Sequence, residues 1–378
     1  MPPSPPPAGF DAFRYAHERF HQVVWMSQNT NHLFPSGPVE EALELALKEK
    51  RYAAYPYAPG DPELKELVLR DYPLPGAVVG ITGGGTEALY MIARALLSPG
   101  DEVIASDPSY LIIHRFIELS GARVVPLDIY QPPFRLSVER VQAALTPKTR
   151  MLLLIDPLNP LGSGYSPEEV RGFAELARDH HLLLLHDTTY RDFAERHTLA
   201  GALYPEGTLT VWSVSKNCGL AGVRLGGYLA TPELAAKVAR YNTNDLGVSV
   251  FSQVAAKAAL RAKPHVFAAV LKQTRENQQT IRRVVDDLPG VSLPVYPSQG
   301  NMFVLDLTET GVDPVALQAE LLLKHQVFLR AGNYLSPKFG SRFIRASFSN
   351  LPSDLEAFRE AFPKALDALR PKALAPVA

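Results

Sequence analysis

Between residues 78 and 230 the chain alternates short strand-type runs with helical periods, and this alternation limits the possible folds more than any other feature. The runs at 151–155 and 182–185 are continuously apolar, as in strands that are buried on both faces. Ser166 is predicted to cap the N-terminus of a helix, because a proline and two glutamates follow it directly. Alternating β and α units predict an α/β fold with a mostly parallel sheet sandwiched by helices.

The elements are predicted as follows. Strands are expected at 78–82, 102–105, 123–127, 151–155, 182–185, 208–212 and 224–230, with helices at 87–97, 110–119 and 167–180 between them. After residue 241 two long helices, 250–261 and 264–287, precede strands at 302–306, 327–329 and 343–347 and a helix at 352–369. The second pattern predicts a smaller α+β domain at the C-terminal end.

Four regions are therefore expected. They are a disordered Pro-rich tail at 1–10, an N-terminal arm and helix joining the small domain at 11–50, a large domain at 51–270 and a small C-terminal domain at 271–378. The boundary between the last two is placed within the long helical region, near residues 265–285.

Composition excludes several classes of partner. With 38 basic and 39 acidic side chains the net charge is -1, so neither nucleic acid nor an anionic membrane is expected. No apolar run approaches the roughly 20 residues that span a bilayer. The start of the chain lacks the basic and apolar regions of a secretory signal, and the single cysteine, Cys218, excludes an internal disulfide. We expect a cytoplasmic protein and assign no metal ligands.

Lys216 follows the apolar run at 208–212 and precedes a Gly-rich stretch. An ammonium group is costly to bury, so a lysine at the mouth of a core strand is either solvated or used chemically. The chemical use that fits is a Schiff base with a carbonyl compound. Taken alone, a solvated surface charge is the commoner outcome. Cys218 lies two residues on, but no other feature supports it as a nucleophile.

The segment TGGGTEA at 82–88 joins a predicted strand to a predicted helix. Glycines let backbone N–H groups approach an anion, and the helix N-terminus adds a positive dipole, so a phosphate site is expected. Gly83, Gly85 and Ala88 also match a dinucleotide fingerprint, with Asp107 in place of the ribose-binding acid. A plain strand-to-helix turn is the third alternative.

Two polar side chains follow predicted buried strands. Asp187 would be protonated or destabilising there without a partner, and a protonated ring nitrogen would satisfy it. A helix N-cap is the structural alternative. Asn159 lies in the segment DPLNPLG at 156–162, which by itself predicts only a proline-rich turn. Both residues lie where open α/β sheets bind ligands, at the carboxyl ends of strands.

Together with SVSKNCGLAGVRLG at 213–226, these segments resemble the fold-type I pyridoxal-phosphate enzymes of the class I/II aminotransferase family. The resemblance runs from about residue 52 to about residue 349, and LAGVR at 220–224 is most similar to the histidinol-phosphate aminotransferase-like branch. It implies a seven-stranded sheet in the large domain and pyridoxal 5′-phosphate as cofactor. It disfavours the dinucleotide alternative, which leaves Lys216 unexplained.

The resemblance implies a role for each matching residue. Lys216 would form the Schiff base, Asp187 would pair with the ring nitrogen, and Tyr190 would bond the ring 3′-oxygen. Asn159 would donate to the same oxygen and help to hold the substrate carboxylate. Tyr110 would stack on the ring. The phosphate would be bound by Gly84, Gly85, Thr86, Ser213, Ser215 and Arg224.

Tyr55 stands five residues before Gly60, as in a family segment whose tyrosine reaches the partner subunit's cofactor phosphate. The resemblance therefore implies a homodimer with shared active sites. A Pro-rich surface loop with an aromatic anchor is the alternative.

Three further positions would bind substrate. Arg345 matches the arginine that holds the substrate α-carboxylate, and a guanidinium group suits a bidentate carboxylate. Arg330 resembles the basic residue for the distal phosphate in the histidinol-phosphate branch. Asn29 lies in a segment, 29–32, that partly resembles an entry loop of that branch.

The sequence thus predicts an aminotransferase that moves an amino group between an amino acid, or a similar amine, and a 2-oxo acid. The alternative on the same site is a lyase, decarboxylase or racemase, since fold and cofactor do not determine the reaction. A cofactor-binding regulator without turnover and an NAD-dependent dehydrogenase are more distant alternatives.

Overall fold

The computed structural model describes residues 9–371. Most of the predicted Pro-rich tail, residues 1–8, and the end of the chain, residues 372–378, lie outside the described residues. Within the described part, no helix is both long enough and apolar enough to cross a membrane.

The described residues form twelve strands and eleven α-helices. The strands are β1 (Val24–Trp25), β2 (Val78–Thr82), β3 (Glu102–Asp107), β4 (Arg123–Asp128), β5 (Thr149–Ile155), β6 (Leu183–Asp187), β7 (Thr208–Ser213), β8 (Gly226–Ala230), β9 (Met302–Asp306), β10 (Val327–Phe328), β11 (Arg330–Ala331) and β12 (Phe343–Ser347). The helices are α1 (Ala12–Glu18), α2 (Gly37–Lys48), α3 (Pro62–Asp71), α4 (Gly85–Leu96), α5 (Leu111–Leu119), α6 (Val138–Ala143), α7 (Pro167–Asp179), α8 (Pro232–Ala239), α9 (Val250–Asp286), α10 (Pro314–His325) and α11 (Pro352–Leu369).

The central sheet has seven strands in the order β2-β8-β7-β6-β5-β3-β4. Only β8 runs against the others, because both of its pairings, with β7 and with β2, are antiparallel. Every residue of β3, β6 and β7 is buried, as expected for strands covered by helices on both faces. The predicted mostly parallel, helix-covered sheet is confirmed.

A second, antiparallel sheet of three strands, β11-β12-β9, lies in the C-terminal part. Its own apolar cluster joins β9 and β12 to α11 and the end of α9, with Phe303, Phe358 and Phe362 fully buried. The N-terminal arm attaches here, since β1 pairs in parallel with β10 and Ala12 and Ala16 of α1 pack with Phe328. A smaller α+β unit is therefore present, while the boundary at residue 271 remains a prediction.

One predicted break is wrong. Pro264 was expected to begin a new helix, but α9 continues through it as a single helix of 37 residues. A proline removes one backbone hydrogen bond and clashes with the preceding turn, yet tertiary packing can outweigh that local cost. Buried residues on both sides of Pro264, among them Ala259 and Val270, supply this packing. The helices α6, α8 and α10 were not predicted, although a side-chain cap marks the start of each.

Candidate active site

A cavity of about 510 Å³ opens at the carboxyl ends of β5, β6 and β7, beside β11 and β12. It brings together nearly all of the predicted site residues, although they are spread over more than 300 positions of the chain. The predicted residues that line it are Asn29, Gly85, Thr86, Tyr110, Asn159, Asp187, Tyr190, Ser213, Ser215, Lys216, Arg224, Arg330 and Arg345. Gly84 borders it through Arg224, and Tyr55 does not reach it.

Lys216 follows β7, and its Nζ donates a hydrogen bond of 2.6 Å to the backbone oxygen of Gln28. The pKa of Lys216 is lowered to about 7, first by burial and then by the nearby arginines, of which Arg345 has the largest effect, while Asp187 acts in the opposite direction. A large fraction of this amine is therefore neutral at physiological pH. A neutral, partly enclosed amine is the form that attacks a carbonyl carbon.

Asp187 ends β6 and is 6% exposed. Its Oδ1 accepts hydrogen bonds from the backbone N–H of Thr189 at 3.1 Å and from the Thr189 hydroxyl at 2.6 Å. Burial raises the pKa of Asp187, and the bonds from Thr189 act in the opposite direction. The carboxylate is thus held in place but is short of positive charge, so a cationic ring nitrogen would be a favourable partner.

Asn159 and Arg345 form a direct pair. Nη1 of Arg345 donates to Oδ1 of Asn159 at 2.6 Å, and its Nη2 donates to the backbone oxygen of Ser27. Because Arg345 has only donors, the Asn159 amide must present its oxygen to it, which leaves the Nδ2 group to donate elsewhere. Tyr190 is held in a similar way, since its hydroxyl oxygen accepts from Asn29 Nδ2 at 3.0 Å. Its own O–H proton stays available.

Another part of the cavity lining has features that suit an anion. Gly84 has φ of +102°, and a Cβ there would lie 2.5 Å from Nη2 of Arg224. Helix α4 begins at Gly85, so its first N–H groups and its dipole are directed at this end. The Thr86 hydroxyl lies 3.2 Å from the hydroxyl of Tyr110. Ser213 Oγ accepts from the backbone N–H of Ser215 at 3.1 Å, which orders that turn.

Arg330 lies between two aromatic rings. Its guanidinium carbon is 4.2 Å from the ring centre of Phe13 and 4.7 Å from that of Tyr334. Among the described residues, no salt bridge to a carboxylate is formed by Arg330 or Arg345. Asp187 is the one acidic side chain of the described cavity lining, against four basic ones, Lys216, Arg224, Arg330 and Arg345. The cavity therefore attracts anions.

Sequence reasoning missed several residues of the site. Thr189 could have been found, because it stands two residues after Asp187 in a loop where a hydroxyl can bond the carboxylate. Gln28 acts through its backbone oxygen, which leaves no signal in the sequence. Phe13 and Tyr334 come from distant segments and are brought together only by the fold.

Neither Cys218 nor Tyr55 lines the described cavity. Cys218 is 2% exposed, and burial raises the pKa of its thiol far above neutral pH, so it is not a thiolate nucleophile. Tyr55 is 79% exposed. Within a single chain it is not among the residues that line the described cavity, so its predicted role across a subunit interface remains a prediction.

Known proteins resemble this chain along most of its length. Residues 21–362 match the family described as aminotransferase class I and II. An arginine–pyruvate transaminase of Pseudomonas aeruginosa is 31% identical over 265 residues, which are 68% of this chain and 67% of that protein. An aspartate/prephenate aminotransferase of Thermus thermophilus is 28% identical over 340 residues, 87% of each chain.

Solved structures agree with these relatives. The aspartate aminotransferase of Thermus thermophilus with maleate superposes with a TM-score of 0.80 at 26% identity and covers 97% of each chain. None of these three proteins is named for histidinol phosphate, so the closer resemblance to that branch remains a prediction.

Proposed function

This chain belongs to the aminotransferase class I and II family, whose members transfer amino groups with pyridoxal 5′-phosphate, and we propose that Lys216 holds that cofactor here. The chain is an aminotransferase. The main support for this proposal is the lowered pKa of Lys216 together with the charged groups around it. Its amine, with a pKa lowered to about 7, lies in one cavity with a buried carboxylate and three arginines.

The residues present fit the cofactor at both ends. Gly84, the start of α4 and Arg224 form an anion-binding end that suits a phosphate. At the other end Asp187, with its pKa raised by burial, suits a protonated pyridine nitrogen. Between them Tyr190 and the Asn159 amide have donors to spare, which suits the ring oxygen. Tyr110, which lines the cavity beside Thr86, would cover the ring face.

Each residue then has a defined task. When bound, the cofactor draws electrons from the substrate's α-carbon, and Asp187 sustains this by keeping the ring nitrogen charged. The Lys216 amine would hold the cofactor at its aldehyde group. When not engaged in this way, the same Nζ would be the base that receives and moves the proton of the substrate's α-carbon. The Thr189 hydroxyl holds the Asp187 carboxylate in position throughout.

Arg345 and Arg330 define the substrate. Arg345 would bind the α-carboxylate of the amino acid and of the 2-oxo acid, with Asn159 orienting the guanidinium group. We propose that Arg330 receives a second, distal anionic group, because its Nη1 is buried without a hydrogen-bond partner among the described residues. Asn29 acts indirectly, since its amide holds the Tyr190 hydroxyl.

We also propose a homodimer in which Tyr55 completes the partner's phosphate site. The exposed ring of Tyr55 has two exposed aromatic neighbours, Tyr52 and Tyr57, at 61% and 65%. Three exposed tyrosines within six residues are unusual on a monomer surface and are typical of an interface.

A half-reaction tests the function. Purified protein loaded with pyridoxal phosphate is mixed with single amino acids, and the absorbance of the bound cofactor is followed. We expect conversion to the amine form of the cofactor with at least one amino acid and recovery with a 2-oxo acid. Release of carbon dioxide, elimination products or a racemised amino acid without that conversion would favour the decarboxylase, lyase or racemase alternative instead.

A further inference from the structure

A buried group of three ionisable side chains lies behind the active site. Asp156 follows β5, His186 is in β6, and His197 belongs to the loop after β6. Their side chains are 2%, 0% and 9% exposed. Oδ2 of Asp156 lies 3.2 Å from Nε2 of His197 and 3.6 Å from Nε2 of His186. None of the three lines the described cavity.

The group faces away from the catalytic side of the sheet. Successive residues of a strand point to opposite faces, so His186 turns away from the side on which its neighbour Asp187 lies. The two imidazole rings are stacked, with planes 12° apart and centres at 5.4 Å. The chemistry assigned to the cavity therefore leaves this group without a role.

The hydrogen bonds determine which nitrogen of His186 carries the proton. Its Nδ1 accepts the backbone N–H of Ala200 at 3.3 Å, so Nδ1 has a lone pair and the proton of the neutral ring is on Nε2. Burial lowers the pKa of His186, which keeps the ring neutral. The Nε2–H group lies 3.6 Å from Oδ2 of Asp156, beyond hydrogen-bond distance, and neither atom has another hydrogen-bond partner among the described residues.

This arrangement argues against a metal ion, although all three ligand atoms lie within 4.8 Å of one another. A histidine that binds a metal through Nε2 carries its proton on Nδ1 and donates it to an acceptor. At His186 the Nδ1 atom faces a donor, the N–H of Ala200. The contacts instead place two imidazole Nε2 atoms beside one carboxylate oxygen, at 3.2 and 3.6 Å.

The carboxylate is consequently an anion. Burial alone would raise the pKa of Asp156, but the contacts with His186 and His197 outweigh it and lower the pKa to about 2. His197 Nε2 forms its hydrogen bond with the backbone oxygen of Asp156, at 3.2 Å, and Oδ2 of the same residue lies equally near to this nitrogen.

Asp156 closes the loop that carries Asn159. Its Oδ1 accepts the backbone N–H of Tyr165 at 3.3 Å, which joins the two ends of the loop 156–165. Its own N–H donates to the backbone oxygen of Asp187 at 2.9 Å. Three residues after Asp156, the Asn159 side chain meets Arg345 at 2.6 Å.

We propose that Asp156 is a positioning residue, a carboxylate clamped by His186 and His197 that fixes the loop 156–165 so that Asn159 stays against Arg345. The inference rests on the proposed function only for the role of Asn159 and Arg345 in holding the substrate carboxylate. The clamp itself is a matter of geometry within the chain.

The test compares Asp156→Asn and His197→Leu with His197→Gln. Asp156→Asn puts an amide N–H against two imidazole N–H groups, and His197→Leu removes one donor, while His197→Gln keeps an N–H group in reach. In crystal structures of the cofactor-free proteins, the first two variants should open the Asn159–Arg345 contact beyond about 3.5 Å. In the loaded enzyme KM for the amino acid should rise about tenfold or more, with a smaller change in kcat. His197→Gln should recover most of the loss.

Glu102→Gln is the matched control. Glu102 is a similarly buried carboxylate, 5% exposed, at the opposite end of the same sheet, so its loss should leave KM unchanged. An unaltered Asn159–Arg345 distance in both Asp156→Asn and His197→Leu would overturn the proposal. It would also be overturned if the wild-type protein bound one zinc ion per chain and His186→Gln did not. If Asp156→Asn does not fold, the Asn159–Arg345 distance in His197→Leu still tests the proposal. A wild-type protein that neither binds the cofactor nor turns over refutes the proposed function, whereas the distance test still judges the clamp.

Discussion

Arg330 and Arg345 stand directly opposite each other, at paired positions of the antiparallel strands β11 and β12. Like charges in such a pair are destabilising unless each is compensated. Arg345 bonds Asn159 and a backbone oxygen, and Arg330 has the faces of two aromatic rings. Both contacts leave the positive charges unneutralised, which supports the proposal that the pair receives anionic groups of a ligand.

This pairing predicts different effects of two substitutions. Arg345→Met removes a charge-assisted bond to the α-carboxylate and should lower kcat/KM for every amino acid, by about tenfold to a hundredfold. Arg330→Met should lower kcat/KM by a similar factor only for amino acids with a distal anionic group. Steady-state kinetics on a panel of acidic and neutral amino acids measures both. An equal loss on both classes in Arg330→Met would contradict a distal anion site.

The pKa of Lys216 predicts a pH dependence. The amine attacks only when neutral, and its pKa is lowered to about 7, first of all by burial. The rate at which cofactor-free protein bonds pyridoxal phosphate should therefore rise as the pH increases through about 7 and level off above it. An ordinary lysine would show this rise near pH 10. Stopped-flow absorbance between pH 5 and pH 10 measures the midpoint, and a midpoint near 10 would show that the amine is not perturbed.

Thr189 should matter to catalysis without touching substrate. Thr189→Val keeps the shape and the backbone bond to Asp187 but deletes the hydroxyl bond of 2.6 Å. Losing a bond to a charged group costs roughly 1.5–3 kcal/mol, so the single-turnover rate should fall about tenfold or more. Thr189→Ser, which retains the hydroxyl, is the control. Equal rates in the Val and Ser variants would show that the hydroxyl is not needed.

Asp187→Ala should impair removal of the substrate proton far more than folding, because it deletes the partner of the ring nitrogen. Single-turnover rates and thermal unfolding curves of the variant separate the two effects. Normal rates would mean that the acid only caps the chain after β6.

Shared active sites predict complementation between two inactive proteins. Tyr55→Phe should weaken cofactor retention about tenfold, because a phenol–phosphate bond is charge-assisted. Each proposed site takes Lys216 from one chain and Tyr55 from the other. When Lys216→Ala is mixed with a severely impaired Tyr55 variant, one site of each heterodimer therefore contains both substitutions and the other site contains neither. Activity should then partly return, as a coupled assay would measure. An active monomer, or no recovery although subunits exchange, would place Tyr55 outside the site.

The loop after β7, which carries Lys216 and Asn217, contacts a partly buried network of charged side chains. Lys263 is 7% exposed, and its Nζ lies 2.8 Å from Asp71 and 2.8 Å from Asp192, which also accepts from the Asn217 side chain. Lys263→Met leaves the partly buried carboxylates of Asp71 and Asp192 with less compensation and should lower the free energy of unfolding by up to about 3 kcal/mol. Urea titration measures this. Lys237→Met breaks the exposed pair with Glu233 and should cost less than about 1 kcal/mol.

Local patterns predicted the parts of this protein that local physics controls. The buried strands β5, β6 and β7 were visible as apolar runs, and α7 as a capping signal that the structure contains in full. Lys216 and Asp187 were singled out because a charged group at the end of a core strand requires a partner or a chemical use, but the role predicted for Lys216 came from the resemblance of its segment to a known family. The gathering of the predicted residues in one cavity follows from parallel strands, whose carboxyl ends meet at one edge of the sheet.

Tertiary structure decided what no local pattern contains. The contact of Lys216 with Gln28 uses a backbone oxygen 188 positions away, and every residue type carries one. Pro264 continues a helix because packing on both sides outweighs its local cost. Arg330 and Arg345 lie opposite each other because of the register of two strands. Asp156 meets its two histidines because loops bring them together. The sequence therefore determined the kind of chemistry through its residue types, and the fold determined distance, burial and protonation, because these depend on neighbours far away in the chain.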